Sequence, residues 1–136
     1  MLVVNKLWLL RDIQLAVDII NDSLYYSPVS VEDFTDTSLY GVKDDDALVC
    51  CAMVLHQGHR AYLDYLCVKL HYRGRGISVQ LLDFIAQDLQ SLGVTKVHAC
   101  VNGTNEAAAK LPLHYHAKVG FPYMNVLVNL EEYHGK

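Results

Sequence analysis

The residues best suited to chemistry in this chain form the run His71-Tyr72-Arg73-Gly74-Arg75-Gly76-Ile77-Ser78. Glycines at 74 and 76 let a ligand lie against the main chain with no side chain in the way. The apolar run Tyr62 to Val68 comes before them and reads as a buried strand. Ile77 to Leu92 follows and reads as a helix. At such a strand-to-helix turn the first N–H groups of the helix point into the gap, and the helix dipole adds partial positive charge. Arg73 and Arg75 add two full charges. The place suits a phosphate or a pyrophosphate. It is not the G-x-x-x-x-G-K-[ST] loop, which the chain lacks. The dinucleotide fingerprint would need a small residue where Val79 stands.

Other reactive residue types are less promising. The four cysteines, at 50, 51, 67 and 100, include no C-x-x-C pair and sit in strand-like stretches, so they read as buried thiols. Cys67 as a nucleophile would need a histidine partner that the sequence does not place. His56 and His59 share a turn too tight for a metal site, with no further ligand at metal spacing, and no metal is expected. Asp44-Asp45-Asp46 reads as a solvated hairpin turn that guards a strand edge. It has no calcium-loop spacing. His98 and Cys100 share one face of a strand and read as packed core residues rather than a catalytic pair. Asp64 is a candidate base. Alternation puts it on the face of Tyr62 and Leu66, and a bulge there would reset the faces. Its bland role is a structural hydrogen bond, and His71 reads as a surface loop residue.

The elements that must position these residues can be read in order. Leu2 to Leu9 is a first strand. Leu10, Ile13, Val17, Ile20 and Leu24 recur at spacings of three and four, the stripe of an amphipathic helix ending near Asn21-Asp22-Ser23. Tyr25 to Thr37 is a loop or short helix. Ser38–Lys43, Ala47–Leu55 and Arg60–Lys69 are strands joined by two hairpin turns. The helix from Ile77 carries Ile77, Leu81, Leu82, Ile85 and Leu89 on one face, and Gly93 sits where a C-terminal cap belongs. Val94 to Val101 is a strand that should cross right-handed and pair in parallel with the strand before the helix. Glu106 begins another helix, which Pro112 kinks or restarts. That helix runs through Val119 and stops at Gly120. Tyr123 to Leu130 is a final strand.

Length and composition set the frame. The chain has 136 residues and suits one domain over 1–136. It is 52% hydrophobic and 19% charged, enough to bury a core. Neither a bilayer-spanning run nor a signal peptide is found, so membrane association is not expected and a cytoplasmic location is. The net charge of −4 argues against nucleic acid as a partner.

Two motifs then point to a family. The stretch Tyr72-Arg73-Gly74-Arg75-Gly76-Ile77, after a strand ending Leu66-Cys67-Val68, resembles the acyl-CoA loop Q/R-x-x-G-x-G/A of the GNAT superfamily of N-acetyltransferases. His71 departs at the first position. Lys118-Val119-Gly120-Phe121 is similar to the family's L-Y-x-K-x-G-F ending, and the order of elements matches over nearly the whole chain. The resemblance implies an α/β (α+β) fold, a three-layer sandwich whose mixed central sheet splays open between strands 62–69 and 94–101. It implies acetyl-CoA in that opening. Leu66, Cys67 and Val68 would bond the pantetheine arm, the backbone of Arg73, Gly74, Arg75, Gly76, Ile77 and Ser78 would hold the pyrophosphate, and Asn105 would contact the arm or cap a helix. Cys67–Val68 would also supply the N–H for the tetrahedral intermediate. The activity implied is direct attack of a primary amine, on a small molecule or a peptide, on the thioester. The proton for the departing thiolate would come from Tyr115 or His116. Asn105 and Gly120 stand fifteen residues apart, longer than the family spacing, which leaves the choice between those two open. The alternative activity is a non-catalytic acetyl-CoA or CoA sensor on the same fold. A remoter one is a nucleotide-binding protein. Only fifteen residues follow Phe121, room for one strand where the family ends in two, so a homodimer through Tyr123–Leu130 is expected.

Overall fold

The structure, a computed structural model, describes residues 1–23, 27–101, 118–120 and 124–131. Its elements run β1 (Leu2–Leu7), α1 (Leu10–Asp22), β2 (Ser38–Asp44), β3 (Ala47–Gln57), β4 (Arg60–Val68), α2 (Ile77–Ser91), β5 (Lys96–Val101), β6 (Lys118–Gly120) and β7 (Met124–Asn129). Short 3-10 turns lie at Val31–Phe34 and Leu70–Tyr72. All the strands belong to one mixed sheet in the order β1-β2-β3-β4-β5-β7-β6. β1 to β4 pair antiparallel through hairpins, β4 and β5 pair in parallel, and β5-β7-β6 is antiparallel again. The parallel step is the β-α-β crossover that the sequence pattern requires, with α2 as the connection.

The two helices among the described residues cover opposite faces. Along β3, Cys50, Ala52 and Val54 turn toward the cluster that holds Leu81, Ile85 and Leu89 of α2. Cys51 and Met53 turn toward the cluster that holds Ala16, Val17 and Ile20 of α1. Each fully buried Leu or Ile contributes about 1.5–3 kcal/mol of transfer free energy. Truncating Ile85 to alanine would cost about 2–5 kcal/mol, because the cavity adds to the lost transfer term. α1 also buries Asp12, which accepts a hydrogen bond from Lys43 Nζ at 2.6 Å and ties the helix to β2.

α2 ends as its sequence demands. Gly93 takes φ +83°, its N–H bonds the Gln90 carbonyl at 3.1 Å, and the Val94 N–H bonds the Leu89 carbonyl at 3.0 Å. This paired pattern satisfies two of the helix's last carbonyls, and buried Val94 packs beneath it. Val94 is therefore part of the cap, and the strand starts at Lys96.

One expectation is corrected at the C-terminal end. Lys118 and Val119 are not helical. With Gly120 they form β6, pairing Lys118 with Leu127, Val119 with Val126 and Gly120 with Asn125. The strand thought to be missing is present, and it covers the outer edge of β7 at those positions. The argument for a homodimer through Tyr123–Leu130 rested on that edge being open. The helix expected from Glu106, with its kink at Pro112, lies outside the described residues.

Candidate functional site

β4 is the element on which the site is built. Its first four residues pair with β5: Arg60 with Lys96, Ala61 with Val97, Tyr62 with His98 and Leu63 with Ala99. There the pairing stops, although β4 continues to Val68 and β5 to Val101. The sheet opens between them, where the resemblance placed an opening.

A bulge lies at the point of separation. Met53 of β3 opposes Asp64 and Cys51 opposes Cys67, so Tyr65 and Leu66 together face Ala52. Tyr65 takes φ +56°, a left-handed conformation that costs a non-glycine residue on the order of 1–2 kcal/mol. Contacts on both sides of the residue hold it there. Asp64 Oδ1 accepts a hydrogen bond from the Tyr65 N–H at 2.7 Å, and the Tyr65 ring meets Phe34 edge-on at 5.6 Å between centroids. The bulge resets the faces. Ala61, Leu63 and Leu66 lie in the α2 core, whereas Tyr65 and Cys67 lie toward α1.

The ladder shows which backbone groups face the gap. Cys67 stands opposite Cys51, and the Lys69 N–H bonds the Val49 carbonyl at 2.8 Å. Residues 67 and 69 thus turn their main-chain groups to β3. By alternation the Leu66 carbonyl and the Val68 N–H point into the gap. The Val68 carbonyl also points that way and accepts a hydrogen bond from Arg73 Nε at 3.0 Å. Of the three residues expected along an extended arm, Leu66 and Val68 offer backbone groups, and the Cys67 backbone is occupied.

The glycine turn closes the end of this edge. Gly74 takes φ +77° and Gly76 φ +75°, and a Cβ built on either meets no atom within 4 Å. The glycines are needed for backbone conformation, and the space above them is open. Gly76 is the N-cap of α2 and no side chain caps the helix, so the N–H groups of Ile77, Ser78 and Val79 have no intrahelical acceptor. Arg75 stacks over the Tyr72 ring at 5.1 Å. The Tyr72 hydroxyl donates to Asp44 Oδ2 at 2.8 Å. Asp44 therefore does more than solvate a turn: it braces the loop. The Tyr72 hydrogen bond, with the N-terminal ammonium 3.2 Å from Oδ1, holds its carboxyl below the usual carboxylate range. No sequence pattern announces this brace, because residues 44 and 72 meet only through the tertiary fold.

Elsewhere the chemistry is quieter. Burial pushes the Cys50 thiol well up, and the Cys51 thiol, hydrogen-bonded to Cys67 and fully enclosed, is also well above its ordinary range. Cys50, Cys51 and Cys67 are buried thiols, as their setting in the sequence suggested. His71 is exposed on its short turn. Burial raises the Asp64 carboxyl, and the hydrogen bond from Tyr65 N–H opposes that rise. Tyr62 and His98 form a cross-strand stack, with centroids 5.3 Å apart and planes 20° from parallel. His98 is thus an aromatic partner at the edge of the opening rather than an anonymous core residue. Asn105, Tyr115 and His116 lie outside the described residues.

Among the described residues no helix is long and apolar enough to cross a membrane. No curated protein sequence is significantly similar to the chain. Solved structures resemble it in fold. The ribosomal-protein-S18-alanine N-acetyltransferase of Escherichia coli superposes with a TM-score of 0.80 at 16% identity, covering 96% of this chain and 94% of that one. The NatC complex bound to Gag peptide and CoA gives 0.81 at 16% identity over 94% and 98%. The PaiA N-acetyltransferase of Thermoplasma acidophilum, in complex with coenzyme A, gives 0.74 at 15% identity over 95% and 99%. The model of the acetyltransferase (GNAT) family matches residues 8–121, which include the bulged strand, the opening and the glycine turn, and the chain belongs to that family.

Proposed function

We propose that the protein is an N-acetyltransferase that moves an acetyl group from acetyl-CoA to a primary amine. The observation that carries this reading is one continuous track. It starts at the Leu66 carbonyl and Val68 N–H on the open edge and ends at the glycine turn and the first N–H groups of α2. An extended amide-bearing arm can add to that edge as a strand would. A pyrophosphate suits the turn, where helix dipole and arginines supply positive charge. Acetyl-CoA supplies an activated acyl carbon. The chain supplies placement, with the Val68 N–H among the backbone groups that hold the arm, and proton transfer. Tyr115 or His116 would protonate the departing thiolate, as the family resemblance implies.

A thermal-shift panel with acetyl-CoA, CoA, NAD and ATP, followed by thiol release across a set of amines, tests the reading. At a hundredfold excess over Kd a ligand adds about 2.7 kcal/mol. For a chain of this size that is a rise in Tm of roughly 5–10 °C. Acetyl-CoA and CoA should produce it, and NAD and ATP should not. Stabilisation by ATP or NAD alone would overturn the reading. Binding of acetyl-CoA with no thiol release on any amine would favour a sensor instead.

A further inference from the structure

We infer that His98 accepts the proton released by the attacking amine, with Tyr62 as the residue that positions its ring. This rests on the N-acetyltransferase reading above and adds the proton acceptor to it.

The geometry begins with the apex of the opening. The β4–β5 ladder ends at the pair Leu63–Ala99. An extended arm anchored at the glycine turn, running back along Val68 and Leu66, must come to rest against that last rung. Its reacting end therefore lies at the apex. The α2 face of the apex is filled, since Ala61, Leu63, Val97 and Ala99 all pack into the α2 core. An acceptor has to arrive from the other face. There the next rung is Tyr62 opposite His98.

Two observations mark this rung as more than packing. His98 Nε2 is buried with no hydrogen-bond partner among the described residues. A buried imidazole nitrogen left without a partner destabilises the fold unless a ligand or a water meets it. The surroundings are also open on this side. Tyr62 is 38% exposed, and Leu55, its partner on β3, is 41% exposed. The stack fixes the imidazole plane, with the tyrosine exposed and His98 Nε2 enclosed beside it.

Among the charged groups on this face, Asp64 alone attracts a cationic amine, and Arg60 and Lys96 do not. On β4, Arg60 and Asp64 share the Tyr62 face by alternation, and Asp64 brings a carboxylate beside the apex. On β5 itself Lys96 lies two residues back on the same face. β7 brings no ionisable residue opposite, since Asn125 to Asn129 are Asn, Val, Leu, Val and Asn. An ammonium drawn in by Asp64 gives one proton to His98 Nε2, directly or through one water. The neutral nitrogen then forms the C–N bond to the acyl carbon and the C–S bond breaks. The second nitrogen proton leaves with the thiolate as the thiol, and the proton on His98 passes to solvent. The sum is amide, thiol and one released proton.

The test is the pH dependence of kcat/KM for amine acetylation. In the wild type it should rise with pH along a single limb. His98→Gln should lower kcat about a hundredfold near neutral pH and remove that limb, with acetyl-CoA affinity unchanged. Its deficit should shrink as pH nears about 10, where the amine loses its proton unaided. His98→Ala should regain rate on addition of imidazole, which keeps the question answerable if the glutamine variant folds poorly. Tyr62→Phe should keep the stack and the rate, and Tyr62→Ala should lower kcat several-fold with KM for acetyl-CoA unmoved. A His98→Gln variant that retains rate and limb overturns the assignment, as does transfer of the limb's loss to Asp64→Asn. Wild-type protein that binds acetyl-CoA yet acetylates no amine overturns the activity and this assignment together, and it is told apart by the missing wild-type rate.

Discussion

The two halves of β4 differ in pairing, in backbone conformation and in burial pattern. From Arg60 to Leu63 the strand is paired on both sides, and exposed and buried residues alternate without a break. From Asp64 to Val68 it is paired on one side only, carries a left-handed tyrosine and loses that alternation. In the first half every main-chain group is spent on the fold. In the second half a carbonyl and an N–H are left for something else. Buried backbone groups are almost always satisfied in native proteins, so an unpaired stretch within a sheet marks the place where a ligand completes the hydrogen bonding.

Proline substitution separates the halves most sharply. Val68→Pro removes an N–H that faces the gap and bonds nothing in β3. It should abolish acetyl-CoA binding, because the ring also fills the gap, while Tm stays within a few degrees of wild type. Cys67→Pro removes an N–H turned to β3 and should fail to fold. Thermal melts beside thiol release distinguish the two, and equal unfolding of both variants would mean that the edge is not open. Next in size is the glycine turn. Gly76→Val places a branched residue at φ +75°, a strain of about 1–2 kcal/mol, and puts a side chain into the open space above the turn. Calorimetry should show acetyl-CoA affinity weakened at least about a hundredfold, by the loss of close approach. Unchanged affinity would remove the turn from the site.

Smaller effects probe the supports. Tyr72→Phe keeps a ring beneath Arg75 and deletes the bond to Asp44, which should weaken acetyl-CoA binding by roughly threefold. The sign of the pH effect follows from the lowered Asp44 carboxyl. Its contribution is present above the unfolded carboxylate value and is lost as pH falls through the folded one. Acid titration of Tm should therefore be shallower in Tyr72→Phe than in wild type. Smallest is Asp64→Asn. The Asp64 carboxyl is raised by burial, so its charged form costs stability at neutral pH, and the cost fades as pH falls through the folded value. The amide oxygen can still accept from Tyr65. Tm should rise by about 1–3 °C at pH 7, with the gain disappearing in acid. A fall in Tm would show that the carboxylate is there for stability.

The same contrast explains what was legible in the sequence. The first half of β4, the hairpins, both helices and the glycine turn follow local rules: alternation, a 3.6-residue stripe, and glycine where φ must be positive. The turn announced itself because only glycine is at ease at both of its left-handed positions. Tyr65 adopts the same region without glycine, and nothing in Tyr62-Leu63-Asp64-Tyr65-Leu66 says so. Its strain is offset by Asp64 next door and by Phe34 from a distant turn, and only the first of these is a local contact. β6 leaves no mark in the sequence for a similar reason. Three residues have no periodicity, and Lys118 to Gly120 become a strand only because β7 lies alongside. The Asp44–Tyr72 brace and the Tyr62–His98 stack are also tertiary meetings that no spacing reveals.

The one-sided pairing of β4 gives adjacent amides opposite lifetimes. The Cys67 hydrogen is turned into the ladder with β3, so its exchange with deuterated solvent must wait for the sheet to open. The Val68 hydrogen, one residue along, faces the gap and needs no such event. The free protein should therefore exchange Val68 on the timescale of local fluctuations and Cys67 on that of large-scale unfolding. A ligand laid in the opening should slow the first and leave the second nearly where it was, so the occupied track could be read amide by amide along a single strand.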